Sequence, residues 1–272
     1  MARDLNRPDL KASAERLKTL IALPLDLILP RYCLVCSRAI RGGVHLCYRC
    51  KPSTPDLENL KANRCQSCFG VLSISSEEKL CSTCRYEPLL TDSIRYIWEY
   101  DGLARDLIRH MKYRPSDKLT RLAAAALSDA LPQLYPDTTW DLIAPIPSSH
   151  TNFLFRLFHP CQELALALSK SASIPARQLL NRNTQRAPQA SLDHSRRLKR
   201  LSSLFTLSSV ERVRGKRILL VEDVITTGAT ISAAAFKLKQ GGAHRVDVLS
   251  LSRTQVWSRF RNRIAQALPN QW

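Results

Sequence analysis

The chain has 272 residues, a length that allows one large domain or two smaller ones and excludes a disulfide-stapled miniprotein. Apolar residues make up 44% of the chain and charged residues 24%, a composition typical of globular proteins, so wholesale disorder is excluded. There are 41 Lys and Arg against 23 Asp and Glu, which gives a net charge of +18. This excess predicts a polyanionic partner, whether nucleic acid, a phosphorylated metabolite or an anionic membrane.

Residues 1–30 are expected to form an N-terminal segment of helical and apolar character. Its apolar run, residues 20–29, contains Pro24 and Asp26 and is too short to cross a bilayer core of about 30 Å. No signal peptide is predicted, because residues 1–18 mix charges of both signs and have no apolar stretch before a cleavage site. We therefore expect a cytoplasmic protein without a membrane span, in which thiols stay reduced.

Eight of the nine cysteines form four C-x-x-C pairs within residues 31–90. Each such turn holds two sulfurs close together, and two turns complete the closed tetrahedral coordination of a structural Zn²⁺. The segment is therefore predicted to be a double zinc ribbon with up to two Zn²⁺, in preference to a redox motif or to buried thiols. Neighbouring pairs are favoured as partners, and an interleaved pairing stays open. The predicted ligands are Cys33, Cys36, Cys47, Cys50, Cys65, Cys68, Cys81 and Cys84.

Alternating strand and helix patterns begin near Ser93, so we place a boundary near residue 90 and a second domain at residues 91–255. Strands are predicted at 93–100, 140–144, 217–221 and 246–251, and helices at 103–113, 117–131, 161–170 and 229–240. This alternation indicates βαβ units and hence an α/β fold with a parallel sheet flanked by helices. Cys161 is interpreted as a small buried hydrophobic residue. Residues 256–272 form a basic and aromatic tail.

The sharpest chemical pattern lies at residues 217–231, where an apolar strand ends in two acids and a turn rich in Thr and Gly opens a helix. Gly228 lets a ligand approach the backbone closely, and the free N–H groups of the helix N-terminus form an anion cradle with the neighbouring hydroxyls. The cradle residues are Thr226, Thr227, Gly228, Ala229 and Thr230. Glu222 and Asp223 can accept hydrogen bonds from a vicinal diol, and a phosphate held beside a diol describes a ribose 5-phosphate.

The run from Val221 to Thr230 resembles the signature of type I phosphoribosyltransferases. Together with the four Cys pairs, Lys112-Tyr113 and Pro188-Gln189-Ala190, it resembles the ComF family of competence proteins. The resemblance implies a type I phosphoribosyltransferase-like sheet with an N-terminal zinc ribbon module of the four-cysteine type.

The same resemblance implies that the ligand is phosphoribosyl pyrophosphate (PRPP) with Mg²⁺. Glu222 and Asp223 then become the catalytic pair, and they bind PRPP together with the cradle residues. Purine salvage enzymes carry an Asp at the position of Thr226, and its absence here argues against purine salvage.

Residues 177–217 carry eleven Lys and Arg against two acids and show little apolar periodicity, which suggests an excursion from the core. Basic residues at this density are suited to tracking the backbone of single-stranded DNA. A solvated charged face is the alternative interpretation. The residues predicted to contact DNA are Arg196, Arg197, Lys199 and Arg200.

These features favour a ComF-type protein that binds PRPP and single-stranded DNA and acts in DNA uptake for natural transformation. A competence helicase or channel protein is a further expected partner. Two alternatives stay open: a metabolic phosphoribosyltransferase whose ribbons only stabilise the fold, and a non-catalytic scaffold whose phosphate loop binds DNA or protein. With both ribbons placed before residue 90, loss of the second ribbon is expected to leave PRPP binding by the distant domain intact.

Overall fold

The computed structural model describes residues 31–40, 45–50, 63–72, 79–86, 89–113, 117–147, 159–183 and 203–254. The chain divides into two compact units, Met1–Pro52 and Ser53–Trp272. The predicted N-terminal segment, residues 1–30, and the predicted tail, residues 256–272, lie outside the described residues. In chain order the elements are β1 (Arg31–Tyr32), β2 (Ala39–Ile40), α1 (Ser82–Tyr86), β3 (Ser93–Glu99), α2 (Gly102–Tyr113), α3 (Asp117–Leu134), β4 (Leu142–Pro145), α4 (Pro160–Ala172), β5 (Leu180–Arg182), β6 (Phe205–Leu207), β7 (Arg217–Ile225), α5 (Ala229–Gln240) and β8 (Arg245–Arg253).

Four parallel strands form the central sheet of the second unit, in the order β3, β8, β7, β4. The two central strands are the longest of the four, and their register pairs Leu220 with Val248. Both side chains are fully buried, as expected for parallel strands covered by helices. Every neighbouring pair in the sheet is parallel, which confirms the predicted α/β fold.

Helices flank this sheet and cover its strands. α5 directly follows β7, and its small residues Ala233 and Ala234 pack in one buried cluster with Ile218 and Leu220 of β7. Small side chains on the helix let it approach the sheet closely. α3 and α4 pack against each other, while α3 also contacts β3 and β8 and α4 also contacts β4 and β7.

The longest described helix is α3, with 18 residues. Neither α3 nor any other helix in the described part of the chain combines the length and the apolar character that crossing a membrane requires.

Strand β7 is longer than the apolar run from which it was predicted. It continues past Val221 to Ile225, because its ladder with β8 extends to the pair of Ile225 with Arg253. Glu222 and Asp223 therefore lie within the strand and not after it. The two acids have different partners, although their carboxylate oxygens lie within 4.8 Å of each other.

The basic segment, residues 177–217, packs on the core at both ends, which corrects the predicted excursion. Leu180 in β5 and Phe205 in β6 are fully buried, and the two strands pair antiparallel. Val213 joins the same buried cluster as α5. These few apolar residues are scattered among basic ones, so no periodicity revealed them. The middle of the segment, residues 184–202, lies outside the described residues.

Candidate functional site

The turn after β7 presents hydroxyl and backbone N–H groups at the carboxyl edge of the sheet. Gly228 is the N-cap of α5 with a φ of +72°, a left-handed conformation that glycine adopts without the steric penalty of a side chain. Thr226 and Thr227 are exposed, and Thr227 Oγ1 accepts a hydrogen bond of 3.4 Å from the Ala229 N–H. Since Gly228 offers no side-chain cap, the remaining N–H groups of the first turn can bind an anion at the positive end of the helix dipole.

Lys112, in α2, pairs with one of the two acids on β7. Its Nζ lies 2.9 Å from Asp223 Oδ1, and the Asp223 side chain is 8% exposed. Burial is the largest single influence and lowers the pKa of Lys112, but the charge and the hydrogen bond of Asp223, together with Cys161 and Glu222, raise this pKa above its ordinary value. A ligand hydroxyl that binds this Asp223 oxygen must therefore displace the ammonium group or share the carboxylate with it.

Glu222 lies in different surroundings from its neighbour. Its Oε1 accepts hydrogen bonds from the Cys161 thiol at 3.5 Å and from the Asp223 N–H at 3.3 Å. Burial and the negative charge of Asp223 raise the pKa of Glu222 to about 8, against the opposing charge of Lys112. At neutral pH Glu222 therefore holds a proton, while Asp223 forms an ion pair.

Cys161 is buried, as predicted, but it also belongs to the acid site. Its Sγ and the carboxylate oxygens of Glu222 and Asp223 lie within 4.8 Å of one another. Burial and the two acids raise the pKa of this thiol well above its ordinary value, so it remains an S–H donor to Glu222. The contact joins positions 61 residues apart, and no local pattern in the sequence signals it.

Arg182, at the end of β5, adds a second cation near the acids. Its Nη1 donates to Pro147 O at 3.3 Å, and its guanidinium carbon lies 5.6 Å from the centroid of the Phe205 ring. It also interacts electrostatically with Glu222, although burial lowers the pKa of Arg182. From the sequence, Arg182 was predicted only to be part of the basic segment, and no role in the site was assigned to it. The predicted DNA-contacting residues Arg196, Arg197, Lys199 and Arg200 lie outside the described residues.

The first cysteine group has the geometry of a four-coordinate metal centre. Its members, whose Sγ atoms lie within 4.8 Å of one another, are Cys33, Cys36, Cys47 and Cys50. The Sγ atoms of Cys36 and Cys47 are 3.7 Å apart. A tetrahedron with Zn–S bonds of about 2.3 Å has edges of about 3.8 Å, so these sulfurs fit a zinc ion. The Cys47 N–H also lies 3.4 Å from Cys33 Sγ, a hydrogen bond that stabilises a thiolate.

The second cysteine group repeats this geometry. Its members are Cys65, Cys68, Cys81 and Cys84. Cys68 Sγ and Cys81 Sγ are 3.8 Å apart. Each group begins with the same turn, in which the Cys33 N–H donates to Arg38 O and the Cys65 N–H donates to Gly70 O, both at 2.8 Å. All nine cysteines lie in described residues, and none of them forms a disulfide bond. The grouping confirms the neighbouring pairs as partners, and each group can hold a zinc ion.

Comparison with known proteins agrees with this geometry. The family described as phosphoribosyl transferase domain matches residues 163–254. The chain is 28% identical over 211 residues to the Competence protein ComFC of Streptococcus pneumoniae, covering 72% of this chain and 90% of that protein. It is 27% identical over 249 residues to the DNA utilization protein YhgH of Salmonella typhi, covering 86% of this chain and 96% of that protein. These similarities extend over most of the chain and support its resemblance to the ComF family.

Solved structures similar to this chain include the allosteric regulatory enzyme of purine biosynthesis. The similarity has a TM-score of 0.38 and 18% identity, over 53% of this chain and 30% of that chain. The chain combines a phosphoribosyltransferase-like parallel sheet with two four-cysteine groups that precede it in sequence, as predicted.

Proposed function

We propose that this chain acts as a ComF-type protein, which binds PRPP with Mg²⁺ at residues 222–230 and binds single-stranded DNA during DNA uptake. The observation that carries the proposal is the turn from β7 to α5, where an acid pair and an open helix N-terminus lie a few residues apart. A phosphate bound at this N-terminus leaves the ribose of the same ligand beside the acids. The phosphoribosyl transferase match over residues 163–254 supports the proposal.

In this proposal the buried charges of the site bind and orient PRPP. Asp223 accepts hydrogen bonds from the ribose diol, and Lys112, 2.9 Å away, turns from Asp223 to the pyrophosphate. Glu222, which holds its proton at neutral pH, can donate a hydrogen bond to a ribose oxygen. Mg²⁺ would neutralise the pyrophosphate, and the carboxylate oxygens of Asp223, and of Glu222 once it has lost its proton, are donors of the kind that it prefers.

Transferase chemistry at this site would use the same groups. When pyrophosphate leaves PRPP, positive charge develops on the ribosyl ring and negative charge on the leaving group. The Asp223 carboxylate stabilises the first charge, and Lys112 and Arg182 stabilise the second. Acids and cations that are already buried near one another need little reorganisation to do so.

The DNA part of the proposal rests on charge and on the relatives. Residues 177–217 contribute a net charge of +9, from eleven basic and two acidic residues, which is half of the chain's +18. Such a segment suits the phosphate backbone of single-stranded DNA. The two relatives are named for competence and for DNA utilization. A competence helicase or channel protein is the protein partner we propose.

Three measurements on one purified sample test this proposal against its alternatives. They are PRPP binding by calorimetry, pyrophosphate release by a coupled assay, and single-stranded DNA binding by fluorescence anisotropy. We expect Mg²⁺-dependent PRPP binding and salt-sensitive DNA binding in the same sample. PRPP turnover without DNA binding would favour a metabolic phosphoribosyltransferase, and DNA binding without PRPP binding would favour a non-catalytic scaffold.

A further inference from the structure

The second cysteine group is held directly against the sheet that carries the phosphate turn. The Ile94 N–H in β3 donates to Ser67 O, inside the first C-x-x-C turn of this group, at 2.8 Å. Arg64, which precedes that turn, donates from Nη1 to Tyr96 Oη at 2.6 Å and pairs with Glu99 at 3.2 Å. The second ribbon and β3 are therefore joined by hydrogen bonds across the boundary that composition placed near residue 90.

Arg253, the last residue of β8, is a buried link between this group and the sheet. Its side chain donates from Nη1 to Cys68 O at 2.7 Å, and its guanidinium carbon lies 5.6 Å from the centroid of the Tyr96 ring. Only 5% of Arg253 is exposed. Gly70 leaves room for it, because a Cβ at Gly70 would lie 3.3 Å from Arg253 Nη1. A Zn²⁺ held by four thiolates has a formal charge of about −2, so the metal centre supplies a counter-charge for this buried cation.

The backbone at Arg253 reaches the start of the phosphate turn. Arg253 pairs with Ile225 in the ladder between β8 and β7. The next residue, Thr254, donates its N–H to Ile225 O at 2.9 Å and its hydroxyl to Thr226 O at 3.4 Å. Ile225 is the last residue of β7, and Thr226 is the first residue of the turn. Continuous contacts thus run from a metal ligand, Cys68, to the backbone of the anion cradle.

We infer that Arg253 is a positioning residue that couples metal occupancy of the second cysteine group to the shape of the phosphate turn. With metal bound, the loop from Cys68 to Gly70 is fixed and holds the Arg253 guanidinium. Without metal, this loop loses its main constraint, the buried cation loses the negative charge of the metal centre, and the end of β8 relaxes together with Thr226. This inference rests on the proposed binding of PRPP.

Coupling between two binding sites is reciprocal. If metal at the second cysteine group strengthens PRPP binding, PRPP must strengthen metal binding there by the same factor. A coupling of about tenfold is in the usual range for such linked sites. The first cysteine group belongs to the other compact unit and has no part in these contacts among the described residues.

The test measures zinc removal and PRPP affinity on the full-length chain. A coloured zinc chelator is titrated into zinc-loaded wild-type protein with and without PRPP and Mg²⁺, and PRPP affinity is measured by calorimetry. We expect PRPP to make one of the two zinc ions about tenfold harder to remove. Cys68→Ser should weaken PRPP binding about tenfold, and its remaining zinc should be insensitive to PRPP.

Arg253→Lys keeps the charge but loses the planar guanidinium that reaches both Cys68 O and Tyr96. It should retain two zinc ions, bind PRPP more weakly and abolish the protection of zinc by PRPP. Arg217→Lys, at the first residue of β7, is the matched control and should behave as wild type. The inference is overturned if wild-type protein binds PRPP but PRPP protects neither zinc, or if Arg253→Lys keeps the protection. A wild-type protein that binds no PRPP overturns the proposed function, and this inference with it.

Discussion

Replacing Glu222 with Gln should remove a pH dependence of the protein's stability. In the native protein, burial and the charge of Asp223 raise the pKa of Glu222 from 4.5 to about 8. Between these two values the native state holds a proton that the unfolded state has lost. The stabilising contribution of this proton is therefore fully present below pH 4.5 and is lost as the pH rises through about 8. Gln has no proton to lose and resembles the neutral acid at every pH.

The size of the effect follows from the two pKa values. They differ by about 3.5, from 8 − 4.5, and each pKa unit corresponds to about 1.4 kcal/mol. Between about pH 6 and about pH 8.5, this linkage lowers the unfolding free energy of the wild-type protein by a few kcal/mol. The unfolding free energy of Glu222→Gln should not fall in this way, because Gln has no proton to lose. The difference in unfolding free energy between wild type and the variant should therefore change by the same amount over this pH range.

Urea unfolding at the two pH values, followed by tryptophan fluorescence, measures this difference. Glu163→Gln is the matched control, because Glu163 is an exposed acid on α4 and its carboxylate is in water. It should follow the wild-type pH dependence. If wild type and Glu222→Gln lose the same free energy between the two pH values, Glu222 is not protonated in the native state, and the assignment of different roles to the two acids is refuted.

Three further predictions concern the metal, the buried lysine and DNA. Protein purified without chelator should contain about two zinc ions per chain by plasma mass spectrometry, and well under one would contradict the interpretation of the cysteine groups. Lys112→Met should weaken PRPP binding about tenfold or more in calorimetry, because Asp223 is left as an unpaired buried charge and the pyrophosphate loses a cation; an unchanged affinity would remove Lys112 from the site. Charge reversal to Glu at Arg196, Arg197, Lys199 and Arg200 should weaken binding of all single-stranded DNA sequences alike. About four lost phosphate contacts would flatten the slope of log K against log salt by about 3, whereas a wild-type slope would indicate a solvated face.

Local sequence patterns were sufficient to predict the fold and the main residues of the site. The strand, turn and helix around Gly228 were predicted because apolar periodicity, a left-handed turn residue and adjacent acids all occur within one short run. The four cysteine pairs were predicted for the same reason, since ligand spacing is a local property. Helix α5 was predicted with the bounds that the structure has, Ala229–Gln240.

Local sequence patterns did not predict the contacts between residues that are far apart in the chain. Lys112 was noticed only as part of a family motif, and its ion pair with Asp223 depends on where the fold places α2 relative to β7. The thiol of Cys161 reaches Glu222 only because α4 begins near the carboxyl edge of the sheet. The boundary near residue 90 was predicted from a change in composition. Composition cannot reveal the hydrogen bond from Arg253 to Cys68 O, which crosses this boundary. Each of these contacts requires the tertiary fold.

The central claim, that residues 222–230 bind a phosphorylated ribose, is tested most directly by comparing two ligands on two proteins. Calorimetry measures the affinities of PRPP with Mg²⁺ and of inorganic phosphate for wild type and for the double variant Glu222→Gln, Asp223→Asn. The account predicts that wild type binds PRPP, and that the double variant loses at least about tenfold more affinity for PRPP than for phosphate, because only PRPP has a ribose for the two acids to bind. Equal losses for the two ligands, or no PRPP binding by wild type, would contradict it.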